Sequence, residues 1–441
     1  MRILIYGINF APELVGNGKY TGEMAHWLAE RGHDVRVVVA PPFNPAGKVF
    51  EGYRSWQYRK EKFSTTKSAG SLTAFRCPLW VSRNPSALRR LLHLSSFALS
   101  SLPVMLGQIL WRPSLVFVVE PTAFCVPAGL ITAWITGAPS WLHIQDFEID
   151  AGFAIGMLKS NVLRGLVAAV DRKSMMAFYR LSTISPKMMD RLGEKGFPPA
   201  RSVMFPNWVD TTRIFPAGAL SSFRDELGIS HDAVVALYSG TMGRKQGLEI
   251  LAEAAGQLGK DPTIQFVFCG DGSYRDVLAK ASAHLANVRW LPLQPIERLN
   301  ELLNLADIHL LPQCAGVADL MMPSKLTGIL ASGRPVVTTA AADTQLAIAV
   351  KDCGIRVPAH DGAALADAIA RLAKDAPLRV RLGQNARRYA EANLDKEKIL
   401  GSFEQECLRI CKCDLDATPR EERLRQPSHD ASWKSSIDRS A

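Results

Sequence analysis

Short apolar runs rich in β-branched residues alternate along this chain with segments of helical length and period, and the alternation starts twice. The runs are Ile3–Tyr6, Val35–Ala40, Leu115–Val119 and Trp141–Ile144, then Ala233–Tyr238, Ile264–Cys269, Ile308–Leu311 and Pro335–Thr338. Runs this short and unbroken, separated by helices, read as strands of parallel sheets covered on both faces. Each series opens with a strand, a glycine-containing loop and a helix, first near residue 1 and again at Val234. The expected fold class is therefore α/β, with two facing Rossmann-like domains and a crevice between them. A chain of 441 residues, 47% of them hydrophobic, has the core for two domains and is too long for one ordinary one. The expected division is 1–210 and 211–395, with the break in the proline-interrupted stretch from Pro206 to Pro216. A C-terminal helix, 396–413, follows and is positioned to cross back onto the first domain. The polar, charge-dense tail 414–441 is expected to be disordered.

Charge and cysteine usage narrow the class of partner and compartment. Net charge is +10, and the segment from Arg54 to Arg90 holds nine Lys and Arg against the single acid Glu61. A surplus so concentrated suits a phosphorylated substrate or an anionic membrane surface. No zinc-finger spacing or RNA-binding signature accompanies it, so nucleic acid is the weaker reading. Eight cysteines scattered over this length make no disulfide framework, which points to a reducing, cytoplasmic compartment. Cys407, Cys411 and Cys413 lack a fourth ligand at zinc spacing and read as an incidental helix end.

Leu91 to Leu110 contains no Lys, Arg, Asp or Glu over twenty residues, the length of a membrane span. His93, Ser95, Ser96, Ser100, Ser101, Pro103, Gly107 and Gln108 interrupt it, and sheet-forming segments flank it on both sides. Three readings stay open here. A true span is disfavoured, because it would put the first glycine loop and His143 on opposite sides of a bilayer. A helix buried in the first domain is one alternative. The other is an in-plane helix, entered through Arg83, Arg89 and Arg90, with its apolar face among lipid headgroups.

Two glycine loops could approach an anion. Gly16 and Gly18, between the first strand and helix, let backbone N–H groups come close to a ligand, although the pair falls too late for a dinucleotide fingerprint. A nicotinamide-dependent oxidoreductase is disfavoured on that ground. The second loop, Ser239 to Gly247, sets Arg244 and Lys245 among glycines before a helix, a natural receptor for a diphosphate. Ser324 and Lys325, just after Pro323, add a hydroxyl and a further cation at a helix start.

In order and spacing, the first glycine loop, Leu142-His143-Ile144-Gln145-Asp146, Pro206-Asn207-Trp208-Val209-Asp210, the Gly240 loop, Cys269-Gly270-Asp271-Gly272 and Pro323-Ser324-Lys325 through Gly333-Arg334-Pro335-Val336-Val337 resemble family 4 retaining glycosyltransferases of the GT-B fold. More narrowly, Tyr6 to Glu13, His143 to Glu148 and Met322 to Thr327 are similar to the colanic-acid-type exopolysaccharide enzymes. The resemblance spans about residues 1–400. It implies a nucleotide diphosphate sugar as donor, GDP-fucose on the narrow likeness and UDP-hexoses on the wide one. It also implies a polyprenyl-linked saccharide acceptor and a site on the inner face of the cytoplasmic membrane, with no cofactor and no metal. His143 matches the family's catalytic position. Gly16, Gly18, Arg244, Lys245, Ser324, Lys325 and Asp319 are expected to bind the donor, and Asp146 and Glu148 the acceptor. The family's acid pair falls here at Leu320 and Gly328, and its arginine and lysine at Thr241 and Gln246. The chain therefore reads either as an enzyme with shifted cations or as a catalytically degenerate assembly partner.

Overall fold

The computed structural model describes residues 1–412, except 15, 45–46, 66–69, 82–86, 121–122, 148, 151–159, 244–245 and 315–322. The expectations for the tail, and those resting on Arg83, Glu148, Arg244, Lys245, Asp319, Leu320 and Cys413, lie outside the described residues. The chain forms two compact units, Met1–Pro206 together with the segment from Leu400 onward, and Asn207–Ile399.

Unit 1 is built on an eight-stranded sheet. Its strands are β1 (Arg2–Tyr6), β2 (Asp34–Val39), β3 (Arg59–Phe63), β4 (Ser71–Arg76), β5 (Leu115–Glu120), β6 (Ser140–Ile144), β7 (Arg180–Thr183) and β8 (Ser202–Met204), in the order β3-β4-β2-β1-β5-β6-β7-β8. All pairs are parallel except β3 with β4. Edge strand β3 reads Arg-Lys-Glu-Lys-Phe, and its exposed cations discourage pairing with another sheet. Central β5 and β6 are buried at every position, as expected of strands covered on both faces. Order reverses between β1 and β5, so this unit's topological switch point lies at their carboxyl ends.

Helices α1 (Gly16–Glu30), α2 (Ala87–Trp111) and α3 (Val126–Thr136) cover part of this sheet. The C-terminal helix, Lys396–Lys412, crosses into unit 1 at Leu400. There Phe403 packs among Phe117, Trp141 and Phe205 at centroid distances of 5.1, 5.1 and 4.5 Å. Glu404 accepts from His33 Nε2 (2.8 Å), and Glu406 from buried Arg180 (3.1 Å). Cys407 and Cys411 are free thiols, and Cys411 Sγ donates to the Ser114 carbonyl (3.2 Å).

The inward face of α2 mixes buried Leu94, Phe97 and Met105 with side chains that hydrogen-bond to the fold. Ser101 Oγ lies 2.6 Å from the Tyr6 hydroxyl, and Gln108 accepts from Arg36 (3.0 Å). Ser96 accepts from the Trp80 amide, and Ser100 donates to the Pro78 carbonyl. Five of the residues that interrupt the apolar run in sequence, His93, Ser96, Ser100, Ser101 and Gln108, are thus ones that hydrogen-bond to the fold. Leu91, Leu92, Leu99, Leu102, Leu106 and Leu110 face outward, Leu110 with 88% of its surface exposed. The fully buried reading of this helix is therefore wrong for one of its faces. Residues 89–111 are long and apolar enough to cross a membrane, but their inward face is committed to the sheet. Beside α2, α3 exposes Ile131, Trp134 and Ile135.

Unit 2 carries β9 (Val234–Ser239), β10 (Ile264–Cys269), β11 (Val288–Leu291), β12 (Ile308–Leu311), β13 (Val336–Thr339) and β14 (Gly354–Val357), ordered β11-β10-β9-β12-β13-β14. Every pair is parallel. Counted from β9, this is the 3-2-1-4-5-6 order of a doubly wound nucleotide-binding sheet, whose ligand crevice opens where β9 and β12 diverge. Two of its helices matter below, α4 (Lys325–Ala331) and α5 (Ala376–Asn393).

Candidate active site

The carboxyl end of β9 runs into a loop locked by glycines. Gly240 has φ +121°, Gly270 +145° and Gly272 +148°, conformations that favour glycine. A Cβ on Gly270 would lie 2.0 Å from the Gly240 carbonyl oxygen, and one on Gly272 would lie 2.3 Å from that of Met242. The loops after β9 and β10 therefore stack backbone against backbone. Gln246 Oε1 accepts from the Gly243 amide (3.0 Å) and closes the turn. The resemblance puts a lysine at position 246, and here its neutral substitute serves the loop itself.

Lys325 reaches this loop from α4 beyond β12. Its Nζ donates to the Tyr238 hydroxyl (2.5 Å) and the Thr241 carbonyl (3.2 Å), and sits 4.1 Å from the Tyr238 ring centroid. A Cβ on Gly240 would meet Lys325 Cε at 2.6 Å, so glycine there makes room for the lysine stem. Burial pushes the ammonium down to about 7. The Tyr238 hydroxyl in turn donates a hydrogen bond to the Thr241 carbonyl (2.6 Å). The structure thus brings a lysine with no acidic hydrogen-bond partner among the described residues, its charge held by neutral oxygens and a ring face, to the switch point of a doubly wound sheet. A depressed lysine in that position is poised to meet an anion. Ser324 lies at the same turn. Gly328, where the resemblance expects an acid, is within 3.3 Å of Leu303 Cδ1, measured from where its Cβ would stand, and offers no carboxylate.

In unit 1 the glycine loop follows β1. Gly16 begins α1 at φ +56°. A Cβ on Gly18 would lie 2.4 Å from Oε2 of Glu13, a buried carboxylate. Glu13 accepts from the Phe43 and Asn44 amides (2.9 and 3.0 Å) and from Asn9 Nδ2 (2.9 Å). Burial raises its pKa against those hydrogen bonds. Gly18 therefore has an internal reason to be glycine, which its sequence neighbourhood does not disclose.

His143, on β6, is buried and stacks at 5.8 Å on Phe117. Gln145 Nε2 donates to its Nε2 (2.8 Å), which leaves the ring proton on Nδ1 to donate to Ser182 Oγ (2.9 Å). Trp141 Nε1 donates to the same hydroxyl oxygen (2.8 Å). Desolvation lowers the imidazole to about 3, so it is neutral at any ordinary pH. Both ring nitrogens are engaged within the unit, which makes His143 a neutral positioning group rather than a titrating acid or base. Asp146 follows two residues beyond the strand and is partly buried.

The glycosyl transferase 4-like domain family matches residues 15–208, and the glycosyl transferases group 1 family matches 221–389. The Escherichia coli (strain K12) protein named putative colanic acid biosynthesis glycosyl transferase WcaI is 40% identical over 411 residues, covering 91% of this chain and 98% of its own. The solved sucrose-phosphate synthase from Thermosynechococcus elongatus superimposes with TM-score 0.69 at 15% identity, over 93% of this chain and 99% of that one. WaaG, a glycosyltransferase involved in lipopolysaccharide biosynthesis, gives TM-score 0.60 at 17% identity over 91% and 98%. The last two likenesses concern the fold, and the WcaI likeness concerns family. From its domains, its sheet orders and its kinship over nearly the whole length, the chain belongs to the WcaI family of GT-B glycosyltransferases.

Proposed function

We propose that this glycosyltransferase moves a sugar, fucose from GDP-fucose in the first instance, onto a polyprenyl-linked saccharide during assembly of an exopolysaccharide of the colanic acid kind. The observation that carries the donor part is Lys325, held near neutrality against Tyr238 at the switch point of unit 2. A diphosphate arriving there supplies counter-charge to the lysine, and its negative charge grows as the glycosidic bond breaks, so the lysine favours departure more than ground-state binding. Arg244 and Lys245 share that charge, with Ser324 and Asp319 on the donor, in this reading. Gly16 and Gly18 present backbone to the donor from unit 1. The reaction proceeds with retention, the leaving diphosphate taking the acceptor's proton on the same face, and the cations serve in place of a metal. His143 orients a donor hydroxyl through Nε2 once Gln145 turns aside, and Asp146 and Glu148 hold the acceptor.

The apolar outer faces of α2 and α3 support a peripheral position on the cytoplasmic side of the membrane, where a polyprenyl acceptor resides. An outward leucine stripe beside the basic Arg54–Arg90 segment combines insertion with attraction to anionic lipid. A thermal-shift panel of GDP, UDP and their sugars tests the donor assignment. GDP-fucose is expected to raise the melting temperature most, and a larger shift with a UDP-hexose would replace it. The rival reading, a degenerate assembly partner, rests on Leu320 and Gly328 in place of the acid pair and predicts nucleotide binding without transfer.

A further inference from the structure

Unit 2 carries a second cationic cluster at the amino end of its sheet, away from Lys325. A groove of about 610 Å³ lies where β12 and β13 begin, whereas Lys325 lies where β9 ends. Its lining includes Arg334, Arg379, Arg387, Arg388, Asp307 and Pro216.

The groove is built by close backbone approach. Gly383 on α5 sits so tightly against the Gly333 carbonyl oxygen that a Cβ would lie 2.2 Å from it. Gly333, at φ +68°, leaves room for Pro216, whose Cγ would stand 2.6 Å from a Cβ there. These contacts draw α5, which carries Arg379 and, a little over two turns further on, the adjacent Arg387 and Arg388, against the turn that carries Arg334.

The charges in the groove are poorly compensated. Asp307 is already claimed by Arg224 (2.7 Å) and by the Val235 amide (2.8 Å). Arg387 pairs with Glu391 (2.6 Å). Arg379 donates to the Leu372 and Ala373 carbonyls, and Arg388 to Asn385 Oδ1 at 2.5 Å, so neither has a carboxylate among the described residues. Arg334 has a buried Nε without a hydrogen-bond partner among the described residues. A guanidinium with a desolvated, unmet donor beside two further uncompensated arginines is arranged for an acceptor that supplies several oxygens and charge together.

We infer that this groove binds a phosphate-class dianion, either free phosphate or the head of a phosphomonoester lipid, at a site separate from the proposed donor site. Titrations use the full chain carrying Lys325→Met, so that the proposed donor site does not contribute. Inorganic phosphate, at chloride-matched ionic strength, is expected to raise the melting temperature saturably. Arg334→Gln and Arg388→Gln are each expected to weaken phosphate at least tenfold while leaving the anion-free melting temperature unchanged or higher, because neither removes a bond to a charged partner. Dihexanoyl phosphatidic acid below its micelle concentration separates the sources. Binding at least tenfold tighter than phosphate, lost in the same variants, identifies the lipid head, and equal or weaker binding identifies the free anion. A phosphate shift that persists in both variants, or no response to either probe in the parent, overturns the site.

Discussion

Replacing Lys325 by methionine separates binding from folding at the proposed donor site. The ammonium now donates to the Tyr238 hydroxyl and the Thr241 carbonyl, both neutral, and burial holds it near 7. Charge-assisted hydrogen bonds to a diphosphate contribute roughly 1.5–3 kcal/mol. Losing them should weaken GDP about ten- to a hundredfold, measured by titration calorimetry at pH 7. Stability should move the other way. The folded lysine binds fewer protons than the unfolded one between about pH 7 and its ordinary value near 10.4, so the wild type gains stability as pH rises through that window and carries the full burial penalty below it. Methionine keeps the stem's packing without that penalty, and the variant should melt higher than wild type at pH 6–7 in the absence of nucleotide. Wild-type affinity should also fall by up to about tenfold per unit above pH 7, since the bound diphosphate needs the charged lysine, and the variant's profile should be flat there. Unchanged GDP affinity with a lower melting temperature would assign Lys325 to packing on Tyr238 alone and refute the reasoning.

Gly18→Ala should destabilise unit 1 by about 1–3 kcal/mol in chemical denaturation, because the new methyl collides with Glu13, while GDP affinity reports separately whether the loop's backbone also meets the donor. The protein should sediment with anionic vesicles and be partly released by salt. Leu99→Glu with Leu106→Glu should abolish the salt-resistant fraction, whereas Arg89→Glu with Arg90→Glu should remove mainly the salt-sensitive one, at ~1 kcal/mol per cation near the surface; equal sedimentation of all forms would sink the membrane face. Burial keeps His143 and His309 neutral down to about pH 3, so the unfolded chain binds their protons first below about 6.5. Stability should therefore fall with acid below that point by up to about 1.4 kcal/mol per pH unit for each, and His143→Gln should flatten the slope if it folds. By the same shift, transfer rates should show no acid limb from His143 between pH 5 and 7.

Much of the architecture was legible in the chain because parallel sheets leave a coarse signature. Runs such as Leu115–Glu120 are buried on both faces and hence uniformly apolar, and the loops between them collect glycine. The same uniformity hid the state of His143. In a strand buried at every position, no alternation says which neighbours a side chain meets, and Ser182 and Phe117 become its partners only through sheet register. Lys325 was readable as a cation at a helix start. Its depressed pKa was not, because Tyr238 lies 87 residues earlier and adjoins it only across β9 and β12. On α2 Ser100, Ser101 and Gln108 looked like flaws in an apolar run. They hydrogen-bond to the fold, which no hydropathy average discloses.

The most direct test is transfer itself. Purified protein is incubated with GDP-[14C]fucose and vesicles carrying a polyprenyl-diphosphate saccharide, and label is counted in the organic phase. The account predicts label in the lipid fraction with wild type, with the anomeric configuration of the donor kept in the product, and loss of label to background with Lys325→Met. Nucleotide binding with no transfer from any GDP- or UDP-sugar would contradict it and leave the chain as a binding partner rather than a catalyst.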